Sequence, residues 1–544
     1  MTADVLAAIP SEPSAAARRF DTPVHPLARW LFILVVALGF GYAVGSVILD
    51  VQQVGEQMAS GVFLFLALAL VIALGFEFVN GFHDTANAVA TVIYTNSMPA
   101  HFAVVWSGFF NFLGVMLSSG AVAYSIVTLL PVNLILNVGS GAGFAMIFAL
   151  LLAAVLWNLA TWYVGLPNSS SHTLIGSVLG VGLANQLINS ASGGAAGVDW
   201  SQATKVLSGL LMAPVIGFCA AALLLVVLRL VTRNPRLMRS PEGDAPPPRG
   251  IRALLIFTCT AVSFSHGSND GQKGMGLIML ILIGCAPTAY ALNRTLPASE
   301  TPAFVASADA AAGVLRRHGA VAMPVDTARG TLTRALERRA TTTPAAYGAM
   351  VSVSGEVARQ VAAYGAFSRV PAAAAPNIRN DMYLVLEATR AIAKEPSAHL
   401  DDAELATLQA YRGRLERGTR YIPLWVKVAV ALALGLGTMV GWKRIVVTVG
   451  EKIGKQHMTY GMGASAELVA AGTILAADRF GLPVSTTHIL SSGVAGASVA
   501  SGHGLQRRTI VQLAAAWIMT LPVAMALSGT LYWLLLTLVR AGGF

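Results

Sequence analysis

Apolar runs long enough to cross a bilayer recur along most of the chain, beginning with "WLFILVVALGFGYAVGSVIL" at residues 30–49. About 20 such residues in a helix span the roughly 30 Å of a hydrocarbon core. Of 544 residues, 55% are hydrophobic and only 11% charged, and the mean hydropathy is +0.66. A water-soluble globule cannot hide that much apolar surface, which leaves a polytopic membrane protein. The runs hold too much Leu, Ala and Gly to alternate as barrel strands, so the spans are helical. The first run is longer than the apolar core of a signal peptide and reads as a retained helix.

The net charge of +10 does not point to nucleic acid. The Lys and Arg residues sit at helix ends and in one polar insert, where they set membrane orientation. Cys219, Cys259 and Cys285 lie in apolar segments without metal-type spacing and read as packing residues.

The chain is internally duplicated. "GLPNSSSHTLIGSVLG" from Gly165 matches "GLPVSTTHILSSGVAG" from Gly481, and "NGFHDTANAVATVIYTN" (80–96) matches "SHGSNDGQKGMG" (265–276) with Gly81 on Gly267 and Asp84 on Asp270. The expected organisation is a tail at 1–29, a first helix and connection at 30–60, and repeat 1 at 61–231 with a hairpin at 143–189. A cytoplasmic linker follows at 232–252. Repeat 2 starts at 253–293, is interrupted by a polar, Ala- and Arg-rich insertion at 294–420, and resumes at 421–544 with a hairpin at 459–503.

Charge decides how the hairpins are threaded. If both are re-entrant, each half crosses three times and the halves are inverted. Arg18, Arg19, Arg29, Arg233, Arg236, Arg239, Arg249, Arg252, Lys443, Arg444, Lys452, Lys455, Arg507 and Arg508 then share the cytoplasmic side. Full spans would give parallel halves and move Arg507 and Arg508 outside. The expected fold is therefore all-α, with inverted repeats, two re-entrant hairpins, broken helices and a soluble helical insertion outside the cytoplasm. The N-terminus is then cytoplasmic and the C-terminus periplasmic. The insertion reads as a spacer without a role in transport.

A charge at the bilayer centre costs roughly 2.5–3.5 kcal/mol on insertion scales, so Glu77, Asp84, Asp270, Lys273 and Glu467 mark a pathway. Asp84 with Asn87, and Asp270 with Lys273, are three apart and share a helical face. The alternative is a buried tether with Lys273 paired to an acid. Gly81, Gly267, Gly271 and Gly274 predict that these helices break, baring carbonyls for a small cation, although small residues also permit close helix packing. Ser169, Ser170 and Ser171, with Ser485, Thr486 and Thr487, each precede an apolar arm as helix caps do. Two such helix starts meeting at mid-membrane form an anion cradle; ordinary capping is the blander reading. His172 and His488 are candidate donors or proton carriers beside it, or satisfied core histidines.

These motifs resemble the inorganic phosphate transporter (PiT) family, most closely its bacterial low-affinity branch, over essentially the whole chain outside the insertion and tail. The family's sodium-coupled members carry a "GANDVANA"-like signature in each half; here it reads "GFHDTANA" and "GSNDGQKG". The resemblance implies a secondary carrier, not an enzyme, that imports orthophosphate across the bacterial inner membrane. Ser169, Ser170, Ser171, Ser485, Thr486, Thr487 and Lys273 would contact phosphate. Asp84, Asn87, Asn269 and Asp270 would bind or relay the coupling cation, with Glu467 and Glu77 nearby. His83 and Lys273 depart from the signature's asparagines. Histidine is a poor sodium ligand and a good proton carrier, and lysine would replace a bound cation's charge. The coupling ion expected is H+, with Na+ the alternative; a divalent metal such as Mg2+ would travel with phosphate as a neutral complex, and no fixed metal or cofactor is implied. The partners expected are phosphate and the lipid bilayer, without nucleic acid, and a homodimer is compatible. The competing readings are a permease for sulfate or arsenate, a passive channel, and an intramembrane hydrolase using Ser171 with His172 or Thr487 with His488. Sequence neighbours on a helix point about 100° apart, so such a dyad would have to form across the hairpins.

Overall fold

The computed structural model describes residues 25–542 except 57, 131, 137, 190–197, 199, 233, 244, 396 and 397, and leaves out the side chains of 85, 87, 132, 133 and 201. Arg18, Arg19, Arg233 and the Asn87 side chain therefore lie outside the described residues. The protein is all-helical, and six of its described helices are long and apolar enough to cross a membrane. The first run forms α1 (Pro26–Gln53), longer than its 20-residue apolar core. Cys259 and Cys285 are buried as packing residues should be, whereas Cys219 is exposed.

The two Asp-bearing helices are α2 (Ser60–Tyr94) and α8 (Arg249–Cys285). They pack antiparallel: Gly274 sits against the Glu77 side chain, and His266 beside Asp84. Both run as continuous helix through their glycines, so the breaks expected at the acids are absent. The glycines serve close approach instead. A Cβ at Gly81 would strike the Leu434 carbonyl, and one at Gly267 the Asn111 carbonyl. The breaks fall one helix later. In repeat 1, α3 (Ala100–Leu117) stops before the short α4 (Ala121–Val127), and in repeat 2, α14 (Leu424–Gly437) stops before α15 (Lys443–Glu451).

Each Gly-Leu-Pro segment is the turn of a helical hairpin: α5 (Gly141–Val164) to α6 (Ser170–Asn189), and α16 (Tyr460–Arg479) to α17 (Thr486–Ala500). Gly165 and Gly481 take φ of 75° and 63°, left-handed values that glycine adopts without a Cβ penalty, and the proline two residues on prevents the first arm from continuing. The second arms cross over to the opposite repeat. Gly180 and Gly176 of α6 lie on α18 (Arg507–Ala541), and Gly496 of α17 lies on α7 (Trp200–Thr232). The two halves are thereby interlocked at the hairpins.

Residues 292–415 build a separate hydrophobic core around Phe304, Leu332, Met350, Val385 and Tyr411. Its helices are α9 (Glu300–Arg317), α10 (Val325–Glu337), α11 (Pro344–Tyr364), α12 (Ala375–Ile392) and α13 (Asp402–Thr419). Asp401 and Glu404 close a capping box on α13. Arg294 fastens the insertion's entry by donating to the carbonyls of Thr288, Ser368 and Val370, each at 2.9 Å. Its exit bends by 74° between α13 and α14.

Candidate substrate and cation site

The two hairpin tips meet each other and both Asp-bearing helices. Ser171 Oγ, at the start of α6, donates to the Val484 carbonyl in the other turn at 2.6 Å. The rings of His172 and His488 lie 4.4 Å apart, and His488 stacks on Trp517 at 4.2 Å. Asp84 takes a proton donor from each tip: Ser170 Oγ reaches Oδ2 at 3.3 Å, and Thr487 Oγ1 reaches Oδ1. Lys273 extends from α8 into the same junction, with Nζ 2.6 Å from Asp270 Oδ2 and 2.5 Å from Ser171 Oγ. Asn269 grips the second turn, donating to the Leu482 carbonyl at 3.1 Å and accepting from Val484 N at 3.4 Å. Ser169 and Ser485 spend their oxygens on capping, accepting from His172 N and His488 N at 3.2 and 3.1 Å. Thr486 Oγ1 and Asp270 Oδ1 are buried without a hydrogen-bond partner among the described residues.

His266 completes the junction. Its Nδ1 lies 2.7 Å from Asn111 Oδ1, an acceptor, which places the ring proton on Nδ1 and turns Nε2 inward. Nε2 stands 3.6 Å from Asp84 Oδ2 and 3.7 Å from Asp270 Oδ2. A lone pair facing two carboxylate oxygens is repulsive until a proton or metal cation sits between them. One atom from each of Asp84, His266 and Asp270 falls within 4.8 Å of the others, a set able to hold a metal ion. As ionised groups, two carboxylates against the single Lys273 ammonium leave one net negative charge. An oxyanion cannot enter such a junction favourably without bringing or meeting another positive charge.

A family model described as "Phosphate transporter family" matches residues 80–528. The chain belongs to that family. Two relatives from Escherichia coli (strain K12) are similar along nearly their whole length. "Low-affinity inorganic phosphate transporter PitB" is 41% identical across 89% of this chain and 99% of its own, and "Low-affinity inorganic phosphate transporter PitA" is 42% identical across 88% and 98%. A solved structure titled "The sodium-dependent phosphate transporter" is 19% identical over 87% of this chain and 98% of its own, with a TM-score of 0.47, too slight a likeness to bear on mechanism.

As a member of the phosphate transporter family the chain is a multi-pass membrane carrier, a non-enzymatic class. Of the residues singled out in the sequence, Asp84, Ser170, Ser171, Asn269, Asp270, Lys273 and Thr487 converge. Others turn elsewhere. His83, which matches Asn269 in the duplication, points to Thr161 Oγ1 at 3.2 Å, and Glu467 accepts from Thr258 Oγ1. Glu77 is buried beside Gly274. His266 and Asn111 went unremarked in the sequence. The available signal for His266 was its place four residues before Asp270, on the same helical face.

Proposed function

We propose that this transporter imports inorganic phosphate as a low-affinity proton symporter, with a neutral metal–hydrogen phosphate complex as the form best suited to the site. The observation that carries the coupling is Lys273 Nζ, 2.6 Å from Asp270 Oδ2. A tethered ammonium occupies the place beside Asp270 where an exchangeable sodium ion would otherwise neutralise the carboxylate. The remaining negative charge is then offset by a proton, taken by one of the junction's carboxylates, and by the metal accompanying phosphate. The antiparallel run of α2 and α8 supports inverted halves, and the basic residues near the linker support a cytoplasmic placement of that end, in a bacterial inner membrane.

The hydroxyls that now donate to Asp84 would donate to the oxyanion, and hydrogen phosphate can return a proton donor to the carboxylate where sulfate cannot. Labelled phosphate uptake into proteoliposomes tests this. It should be concentrative under a proton gradient, collapse with an uncoupler, and resist excess unlabelled sulfate. Strong competition by sulfate, or uptake indifferent to the uncoupler, would overturn the reading.

A further inference from the structure

The same pair of positions closes each hairpin against its own Asp-bearing helix, but with opposite chemistry. Phe82 and Ser268 match in the duplication, each two residues before the Asp; Trp162 and Asp478 match, each three residues before the hairpin glycine. In repeat 1 the Phe82 and Trp162 rings lie 5.1 Å apart, edge to face. In repeat 2, Ser268 Oγ donates to Asp478 Oδ2 at 2.8 Å, and Gln272 Nε2 donates to Oδ1 at 2.5 Å. Gln272 matches Ala86, so nothing polar backs the aromatic contact from that position.

Each contact is roofed by the short helix beyond a break, and the two roofs lie at opposite ends of the protein. Over the second hairpin sits α4: Ala121 touches Gly481, and Val122 N donates to Gln272 Oε1 at 2.9 Å. The insertion's exit reaches α4, with the Arg420 guanidinium 5.2 Å above the Tyr124 ring and Lys427 Nζ donating to the nearby Ser118 carbonyl at 3.0 Å. Over the first hairpin sits α15: Thr448 donates to the Gly165 carbonyl at 3.0 Å, and Arg444 lies 5.3 Å above the Trp162 ring. The last residue of α15, Glu451, accepts from Tyr94 at 2.8 Å, at the end of α2 whose continuation binds the linker through Asn96 and Gly243.

We infer that Asp478, held by Ser268 and Gln272, is the positioning residue of a gate at the insertion end, and that Phe82 with Trp162 forms its counterpart at the linker end. Water can replace hydrogen bonds to a carboxylate, whereas parting the two edge-to-face rings exposes apolar surface that water does not satisfy and frees Trp162 from the Gly441 carbonyl, to which its Nε1 donates at 2.9 Å. The insertion-end closure therefore yields first, and the carrier rests ready to receive substrate from that side. Asp478 acts through the turn it holds, next to Lys273 and Asn269, rather than on substrate. The role in transport rests on the phosphate-carrier reading, while the asymmetry of the closures does not.

The test places Thr486→Cys as a reporter in a chain lacking Cys219, Cys259 and Cys285. A membrane-impermeant thiol reagent is applied to membrane vesicles of either orientation, without phosphate, the insertion side being identified by protease access to residues 294–420. Ser268→Ala should raise labelling from the insertion side by about tenfold, the effect of losing one hydrogen bond to a charged group. Asp478→Ala, which loses two, should raise it further, and neither should change labelling from the other side. Trp162→Ala should do the reverse. In uptake, Asp478→Ala should change kcat with KM held. Equal gains from both sides, or none in properly inserted protein, would overturn the inference; if Asp478→Ala fails to fold, Ser268→Ala, which removes no charge, decides. A wild-type chain that carried no phosphate yet kept this labelling pattern would defeat the transport reading alone.

Discussion

Lys273 Nζ joins Asp270 Oδ2 at 2.6 Å to Ser171 Oγ at 2.5 Å, so one buried ammonium bridges an Asp-bearing helix and the tip of the opposite hairpin. Removing one member of a buried pair leaves an uncompensated charge, a loss of roughly 3–5 kcal/mol. Lys273→Ala should lower the melting temperature of the purified protein and abolish uptake. Lys273→Asn instead gives Asp270 a neutral oxygen ligand as neighbour and should make uptake respond to sodium. Sodium indifference in an active Lys273→Asn protein would count against the tethered-cation account.

Asp84→Asn and Asp270→Asn keep the shape of the junction and remove the charge each contributes. Both should abolish concentrative phosphate uptake while leaving the protein in the membrane, as read by labelled uptake beside an immunoblot. Near-normal accumulation in either variant would contradict a role in coupling.

Much of this arrangement was legible because it is local in sequence. A left-handed glycine, a proline and a hydroxyl run define each hairpin turn, and the duplicated Asp fixes which helices face the tips. Meetings between distant side chains were not legible. His266 with Asn111 and Gln272 with Asp478 join residues 155 and 206 apart, and no periodicity announces them. Glycine lowers helix propensity, which predicts breaks at the acids, yet close packing of Gly81 and Gly267 against neighbouring carbonyls overrides propensity there, and the breaks lie before α4 and α15.

Asn111 orients His266, and partners in such an outer position typically govern metal affinity by 10–100-fold. Asn111→Ala and His266→Ala should therefore weaken Mn2+ binding measured by titration calorimetry on the purified carrier without phosphate. Unchanged Mn2+ binding in His266→Ala would remove this residue from any cation site.

Gly267 admits the Asn111 backbone. Gly267→Val should force α3 and α8 apart, a cost of about 1–3 kcal/mol for overpacking, visible as a lower melting temperature. Gly313, with nothing near its Cβ position, should accept alanine without that loss.

In the insertion, the hydrogen bond from His318 Nε2 at 2.9 Å holds the Glu404 carboxyl below the usual carboxylate range. A carboxyl depressed on folding stabilises the fold above its unfolded pKa, about 4.3, and loses that contribution as pH falls through the folded value. Thermal melts of the full chain should weaken on acidification below about pH 4.3, and Glu404→Gln should lessen that acid-side loss.

The most direct measurement is labelled phosphate uptake into proteoliposomes of the purified chain under a proton gradient or a sodium gradient imposed separately, with and without magnesium. The account predicts accumulation with the proton gradient, enhanced by magnesium, and none with sodium. Accumulation driven by sodium alone would contradict it and return Asp84, Asn87 and Asp270 to an exchangeable sodium site.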